Sequence, residues 1–212
     1  MDDHFRNGLN MTFTPQEIAR LTDTNFFLDK ATISTKIRQS LEQLHETYQH
    51  ELTQHRLIVP DQFTHDAFQL VRGEHLENFP YQYLDYPRFY TRETKFAFRT
   101  LYWWGHHIIF SLILEGGHIR RYKENLINRF SEIADREVCL CLDNSLWEWK
   151  KGPGYTLKLT NDRKPEVAAV LANRPFFKLA LFMPFDDPIV TSGNICQKGQ
   201  EVLRTILPVI KD

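Results

Sequence analysis

Two apolar stretches, Lys95–Trp104 and His107–Glu115, meet across Gly105-His106, and this pair constrains the fold more than any other segment. Both are rich in Ile, Leu, Phe, Tyr and Trp, side chains that suit a pleated, half-buried surface. A glycine-first pair between such runs suits a type II′ turn. The spacing therefore predicts a hairpin with Trp104 opposite His107, Tyr102 opposite Ile109, Thr100 opposite Ser111 and Phe98 opposite Ile113 on one face. On the other face Trp103, Leu101 and Ala97 oppose Ile108, Phe110 and Leu114, which reads as core. Arg99, placed opposite Leu112, is a charge in apolar company that needs a partner, a bound anion or an exit to water.

The flanking sequence supplies helices. Thr14, Pro15 and Glu17 form a capping-box start for a short first helix. Ile33, Ile37, Leu41, Leu44, Tyr48 and Leu52 then recur at steps of three or four, one stripe of a long amphipathic helix. His45, His50 and His55 lie along it at steps that turn about 140° each, so they cannot converge on one ion. Asp61 to Val71 reads as a third helix ending near Gly73. Phe79 to Tyr90, crowded with rings and holding Pro80 and Pro87, reads as a packed loop or edge strand.

After the hairpin, His118 to Ile133 has helical spacing. Val138–Leu142, Leu146–Trp149 and Tyr155–Leu159 read as short strands, and Pro165–Ala172 as a short helix. Phe176–Met183 is a buried strand and Gln197–Ile210 a closing helix that Pro208 should bend or end early. The expected fold is α+β: one domain over residues 1–212, with a central, mainly antiparallel sheet flanked by N-terminal and C-terminal helices. Residues 1–11 are expected to be flexible.

Charge removes several classes of function. Lys plus Arg number 26 against 27 Asp plus Glu, a net charge of -1, so no positive field invites nucleic acid. The N-terminus is acidic rather than basic then apolar, and apolar runs are short, which argues against a signal peptide and a membrane span. Three cysteines, Cys139, Cys141 and Cys196, cannot complete a disulfide framework, and a cytoplasmic location is expected.

The hairpin face that mixes rings with hydroxyls and imidazole is the candidate surface for a small molecule or peptide: Tyr102, Trp104, His107, Thr100 and Ser111, with Arg99 beside them. No cofactor is expected. A metal site from His106, His107, Glu115 and His118 is disfavoured, because the first two lie at the turn and the last two at the far end of the strand. Cys139 and Cys141 read as small buried apolar groups. The enzymatic alternative is a metal-assisted hydrolase or nuclease using Asp61, Glu148 and Lys150. A third reading is a protein–protein interaction module. Trp147 and Trp149 share a strand face in this reading, suited to packing or to stacking on a ring.

The run Phe177-Lys178-Leu179-Ala180-Leu181-Phe182-Met183-Pro184-Phe185-Asp186-Asp187-Pro188, followed by a helix through Arg204-Thr205-Ile206-Leu207-Pro208, resembles the YktB-like family of uncharacterised bacterial proteins. Thr12-Phe13-Thr14 and Leu101-Tyr102-Trp103-Trp104-Gly105-His106 extend the likeness. In place of the basic, His- and Arg-rich stretch associated with that family, this chain has Phe79 to Tyr90. The resemblance implies an α+β fold with a central sheet, and it brings no activity or catalytic residue.

Overall fold

The computed structural model describes residues 12–212, and the stretch expected to be flexible, 1–11, lies outside them. The described residues fall into two compact units, one ending at Ile37 and the other spanning Arg38–Asp212. In the first, helix α1 (Pro15–Leu21) begins as its sequence requires. The Thr14 hydroxyl accepts from the Glu17 amide at 3.2 Å, and the Thr14 amide donates to the Glu17 carboxylate at 2.7 Å. Helix α2 (Thr24–Leu52) starts in this unit and continues into the second. Phe13, Leu21, Phe26, Leu28 and Ile33 are exposed.

The second unit is built on a seven-stranded antiparallel sheet of order β1-β2-β3-β4-β7-β5-β6. Its strands are β1 (Gln69–Leu76), β2 (Phe79–Tyr90), β3 (Lys95–Trp103), β4 (His107–Glu115), β5 (Cys139–Cys141), β6 (Thr156–Lys158) and β7 (Phe176–Pro184). Helices α3 (Ile119–Asn128), α4 (Phe130–Ile133), α5 (Lys164–Ala172), α6 (Pro188–Thr191) and α7 (Ile195–Ile210) complete it. The fold is therefore α+β, with a central antiparallel sheet as expected.

One face of the sheet is sealed by helices. Phe96, Phe98, Thr100 and Tyr102 alternate toward it, and all are buried. Tyr48 of α2 bonds the Thr100 hydroxyl at 2.8 Å and sets its ring edge-on to Phe98. Ser40 bonds the Tyr102 hydroxyl at 2.8 Å. Helix α7 joins this layer at Gly199, where an added Cβ would stand 2.4 Å from the Tyr48 hydroxyl and 2.5 Å from a Leu44 methyl.

Several expectations are corrected. Asp61–Val71 is not a helix: Phe63 and Ala67 amides reach only back to Pro60 and Thr64, Gln62 takes φ 65°, and the chain enters β1 at Gln69. Gly73 is no helix terminator but a mid-strand gap, filled by the Tyr81 ring of the neighbouring strand. Phe79–Tyr90 is a full strand, with register shifting between Asp85 and Arg88, so Pro87 sits in a bulge where no ladder donor is required. Leu146–Trp149 is not a strand. Asp143, Ser145 and Glu148 side chains capture the amides of Ser145, Trp147, Trp149 and Lys150, which competes with sheet pairing. The helix from His118 breaks at Arg129 into α3 and α4, and α7 runs on past Pro208 to Ile210.

The hairpin exists, but its register differs by one residue. Trp103, not Trp104, faces His107 across a three-residue loop, closed by the His106 amide on the Trp103 carbonyl at 3.1 Å. Gly105 takes φ 73°, the left-handed position such loops need. Because side chains alternate with period two, the slip puts Arg99 opposite Ser111, Thr100 opposite Phe110 and Tyr102 opposite Ile108.

The Gly199 contact gives a direct test of the helical layer. Gly199→Ala gains roughly 1 kcal/mol of helix propensity yet overpacks the Tyr48–Leu44 contact. The expected net result is a loss of about 1–2 kcal/mol in urea unfolding. A variant as stable as the parent would mean that the two helices are not locked together there.

Candidate functional site

The opposite face of the sheet is covered differently. Its central residues, Leu101, Trp103, Ile109, Ile113, Ala180 and Phe182, pack with Leu146 and Trp149 from the irregular segment 142–155. Toward the β1 edge this cover opens into a cleft of about 360 Å³. Tyr81, Tyr83 and Tyr90 of β2 and Trp147 and Trp149 of the covering segment give it aromatic walls, with Arg99 of β3, Gln69, Leu76 and Leu101 completing the lining. The Tyr81 and Tyr83 rings lie nearly parallel with centroids 6.2 Å apart, and Tyr90 meets Trp147 edge-on. Trp149 is buried, whereas Trp147 keeps 46% of its surface exposed.

A buried ion pair forms the floor. Arg99 donates from Nε and Nη2 to the two carboxylate oxygens of Asp85, both at 2.7 Å, and Tyr90 adds its hydroxyl to Asp85 Oδ2 at 3.0 Å. The guanidinium carbon lies 3.7 Å from the Tyr83 ring centroid and 5.2 and 5.4 Å from those of Trp147 and Trp149. Burial alone would lower the Arg99 pKa, but the Asp85 bonds and charge outweigh it and the pKa is raised. Tyr90 is pushed well up by burial and by Asp85, so its hydroxyl stays a donor. Arg99 Nη1 has no hydrogen-bond partner among the described residues.

Lys178 of β7 holds the cover in place. Its ammonium is buried, donates to the Leu146 carbonyl at 2.8 Å and to the Glu148 carbonyl, and lies 3.8 Å from the Trp149 ring centroid. Desolvation lowers its pKa to about 8. Arg99 from β3, Cys141 from β5, and Asp143 and Glu148 from the covering segment are the charged and titratable groups around it.

The residues singled out from the sequence do not form one surface. Thr100 and Tyr102 are buried against α2, with hydroxyls already bonded. Arg99 and Ser111 pair across β3 and β4 on the cleft side, and Ser111 Oγ is buried without a partner among the described residues. Trp104 lies in the turn rather than in a strand. His107, at the start of β4, sets its ring edge-on to Phe182, and its pKa is lowered by burial and by Lys151. Only Arg99 of the six lines the cleft.

Asp61 lines a separate cavity with Glu115 and His118, while Lys150 binds Glu148 and Glu77. The hydrolase triad is thus not assembled. Among the described residues, no group of three His, Cys, Asp or Glu side chains is placed to hold a metal ion, and no helix is long and apolar enough to cross a membrane.

Sequence reasoning missed Tyr81, Tyr83, Asp85 and Tyr90. The signal was present in their spacing, since Tyr81, Tyr83 and Asp85 alternate with period two and share a strand face with Arg99 once β2 is paired. Comparison with family models, with curated proteins and with solved structures found no match. The site is therefore read from its geometry.

Two outcomes follow from the buried charges. Asp85→Asn strands the Arg99 guanidinium without its counter-charge, and urea unfolding is expected to show a loss of about 3–5 kcal/mol. Adding Arg99→Met to that variant should recover part of it. For Lys178, the folded-state pKa of about 8 lies below the ordinary 10.5. Between those values the unfolded chain binds more protons, so the lysine's contribution to stability rises with pH. Cys141, raised to about 11 by burial, works the other way above pH 9. Comparison with Lys178→Met isolates the lysine: the stability of the parent relative to the variant should grow from pH 7.5 to 9.5. A constant difference would remove the assigned shift.

Proposed function

We propose that the protein is a binding protein that takes up a small, flat aromatic molecule in the cleft beneath Trp147. The observation that carries the reading is a solvent-reaching concavity walled by tyrosine and tryptophan rings, with a buried guanidinium on its floor. Such a mixture of apolar walls and one oriented polar group is what a small-molecule site needs. A cleft of this volume accommodates one or two fused rings. Stacking a ring on Trp147 and Tyr81 contributes roughly 0.5–1.5 kcal/mol per pair beyond the area it removes from water.

The rings are not a cage waiting for a cation. Arg99 already occupies the position over Tyr83 that an ammonium ligand would take, and its charge would repel one. Uncharged or negative rings fit the remaining space. The likeness to the YktB-like proteins adds no ligand to this reading.

A thermal-shift comparison with benzoate, indole and indole-3-carboxylate tests it. At least one probe should raise the melting temperature by roughly 3–8 °C at large excess, and Trp147→Ala, at a half-exposed position, should reduce the shift while leaving the unliganded fold intact. Shifts of equal size in parent and variant, or no shift with any probe, would count against the cleft as a binding site.

A further inference from the structure

Resting on the cleft reading, we infer that the ligand is an aromatic carboxylate, a flat ring carrying one anionic group that Arg99 Nη1 receives. Three features point the same way. Asp85 engages Arg99 side-on through Nε and Nη2, which leaves the two N–H groups of Nη1 uncommitted on a side chain that is only 8% exposed and lines the cleft. A guanidinium N–H donates best to an ionised oxygen, and the planar fork favours a planar acceptor.

Cations crowd the lining rings. Arg88 lies 4.9 Å from the Tyr90 ring centroid, Arg99 3.7 Å from Tyr83 and 5.2 Å from Trp147, and Lys178 3.8 Å from Trp149, so four of the five lining rings have a cation at their face. Asp85 bonds the side chains of Arg99 and Tyr90, and the Glu148 carboxylate accepts from the Trp149 amide. Asp143 and Glu148 near Lys178, together with the Glu77–Lys150 pair, bring the wider neighbourhood to four cations and four carboxylates, so the preference for an anion rests on the cations at the ring faces and on the free Nη1.

The rings then set the rest of the shape. Tyr81 and Tyr83 lie within 7° of parallel, one wall of a slot, and Trp147 stands at its mouth. A carboxylate on the ring's edge reaches the floor while the ring itself stays between the walls. A flexible aliphatic acid would satisfy Nη1 but forfeit the stacking.

Isothermal titration with indole-3-carboxylate and its neutral isostere indole-3-carboxamide tests the inference. The expected result is at least tenfold tighter binding of the carboxylate, with a preference that shrinks as salt is raised. In the charge-balanced double variant Asp85→Asn, Arg99→Met the preference should vanish, while Trp147→Ala should weaken both probes by a similar factor. Equal affinity for the two probes overturns the carboxylate assignment but leaves the aromatic cleft standing. Binding of neither probe, with no response to Trp147→Ala, overturns both. A carboxylate preference that survives intact in the folded double variant removes Arg99 as the receiving group. If the double variant does not fold, the parent's affinity ratio and its salt dependence decide.

Discussion

The Arg99–Asp85 pair is the constraint on which the cleft side of this protein depends. Two opposite charges on adjacent strands are withdrawn from water, and that arrangement survives only if the charges are closely paired and hydrogen-bonded to each other. Asp85 uses both oxygens on the guanidinium and accepts a further bond from Tyr90. The pair sits at the last regular rung before the β2 bulge, since Asp85 is opposite Arg99 and the next pairing is Arg88 with Ala97. Were β2 to slip by one residue, Asp85 would leave the cleft face and the guanidinium would be stranded. The ion pair and the strand register thus enforce each other.

The two faces of the sheet solve the problem of buried polarity in different ways. Beneath the helices, neutral hydroxyl pairs suffice: Tyr48 with Thr100 and Ser40 with Tyr102. Neither face-side group needs a counter-charge, and close packing around Gly199 leaves no opening. Under segment 142–155, cations take the place of hydroxyls. Lys178 satisfies two carbonyls of a segment that has no ladder of its own and Arg174 two more, so an irregular stretch is held by these two cations and the apolar anchors Leu146 and Trp149. An irregular cover anchored in this way can leave a gap at its edge, which a regular helix packed ridge into groove would fill.

Much of the scaffold was legible in the residues because it rests on local chemistry. The Thr14–Glu17 box, the apolar stripe of α2 and the paired strands around Gly105 each follow from spacing a few residues long. What escaped was non-local. Gly105 marks the turn, but a three-residue loop rather than a two-residue one shifts the hairpin by one, and that moves Ser111 from the face of Thr100 and Tyr102 to that of Arg99. The need of Arg99 for a partner was visible; that the partner is Asp85, on a strand whose prolines disguise it, was not. Gly73 shows the same limit: its lack of a side chain reads as a helix stop until the Tyr81 ring is seen to fill the space. Trp147 and Trp149 were read as sheet residues on one face, and they contribute to the cleft because side chains of Asp143, Ser145 and Glu148 bend the backbone out of the sheet.

Aromatic walls around a charge can be built for either sign of ligand, and here the resident side chains decide between them. In a cation-binding cage the rings are left unoccupied, so their negative faces await the guest. In this cleft Arg88, Arg99 and Lys178 already lie at ring faces, which leaves those quadrupoles satisfied from within. Tyr81, with no cation at its face among the described residues, retains a flat surface for stacking, and the floor retains the Nη1 donor. The same guanidinium that Asp85 locks in place is thereby preorganised: its orientation is fixed before any ligand arrives, so the ordering cost that weakens binding by flexible side chains has been met in folding. Stability and recognition here draw on one residue, with Nε and Nη2 serving the fold and Nη1 left for the solvent side.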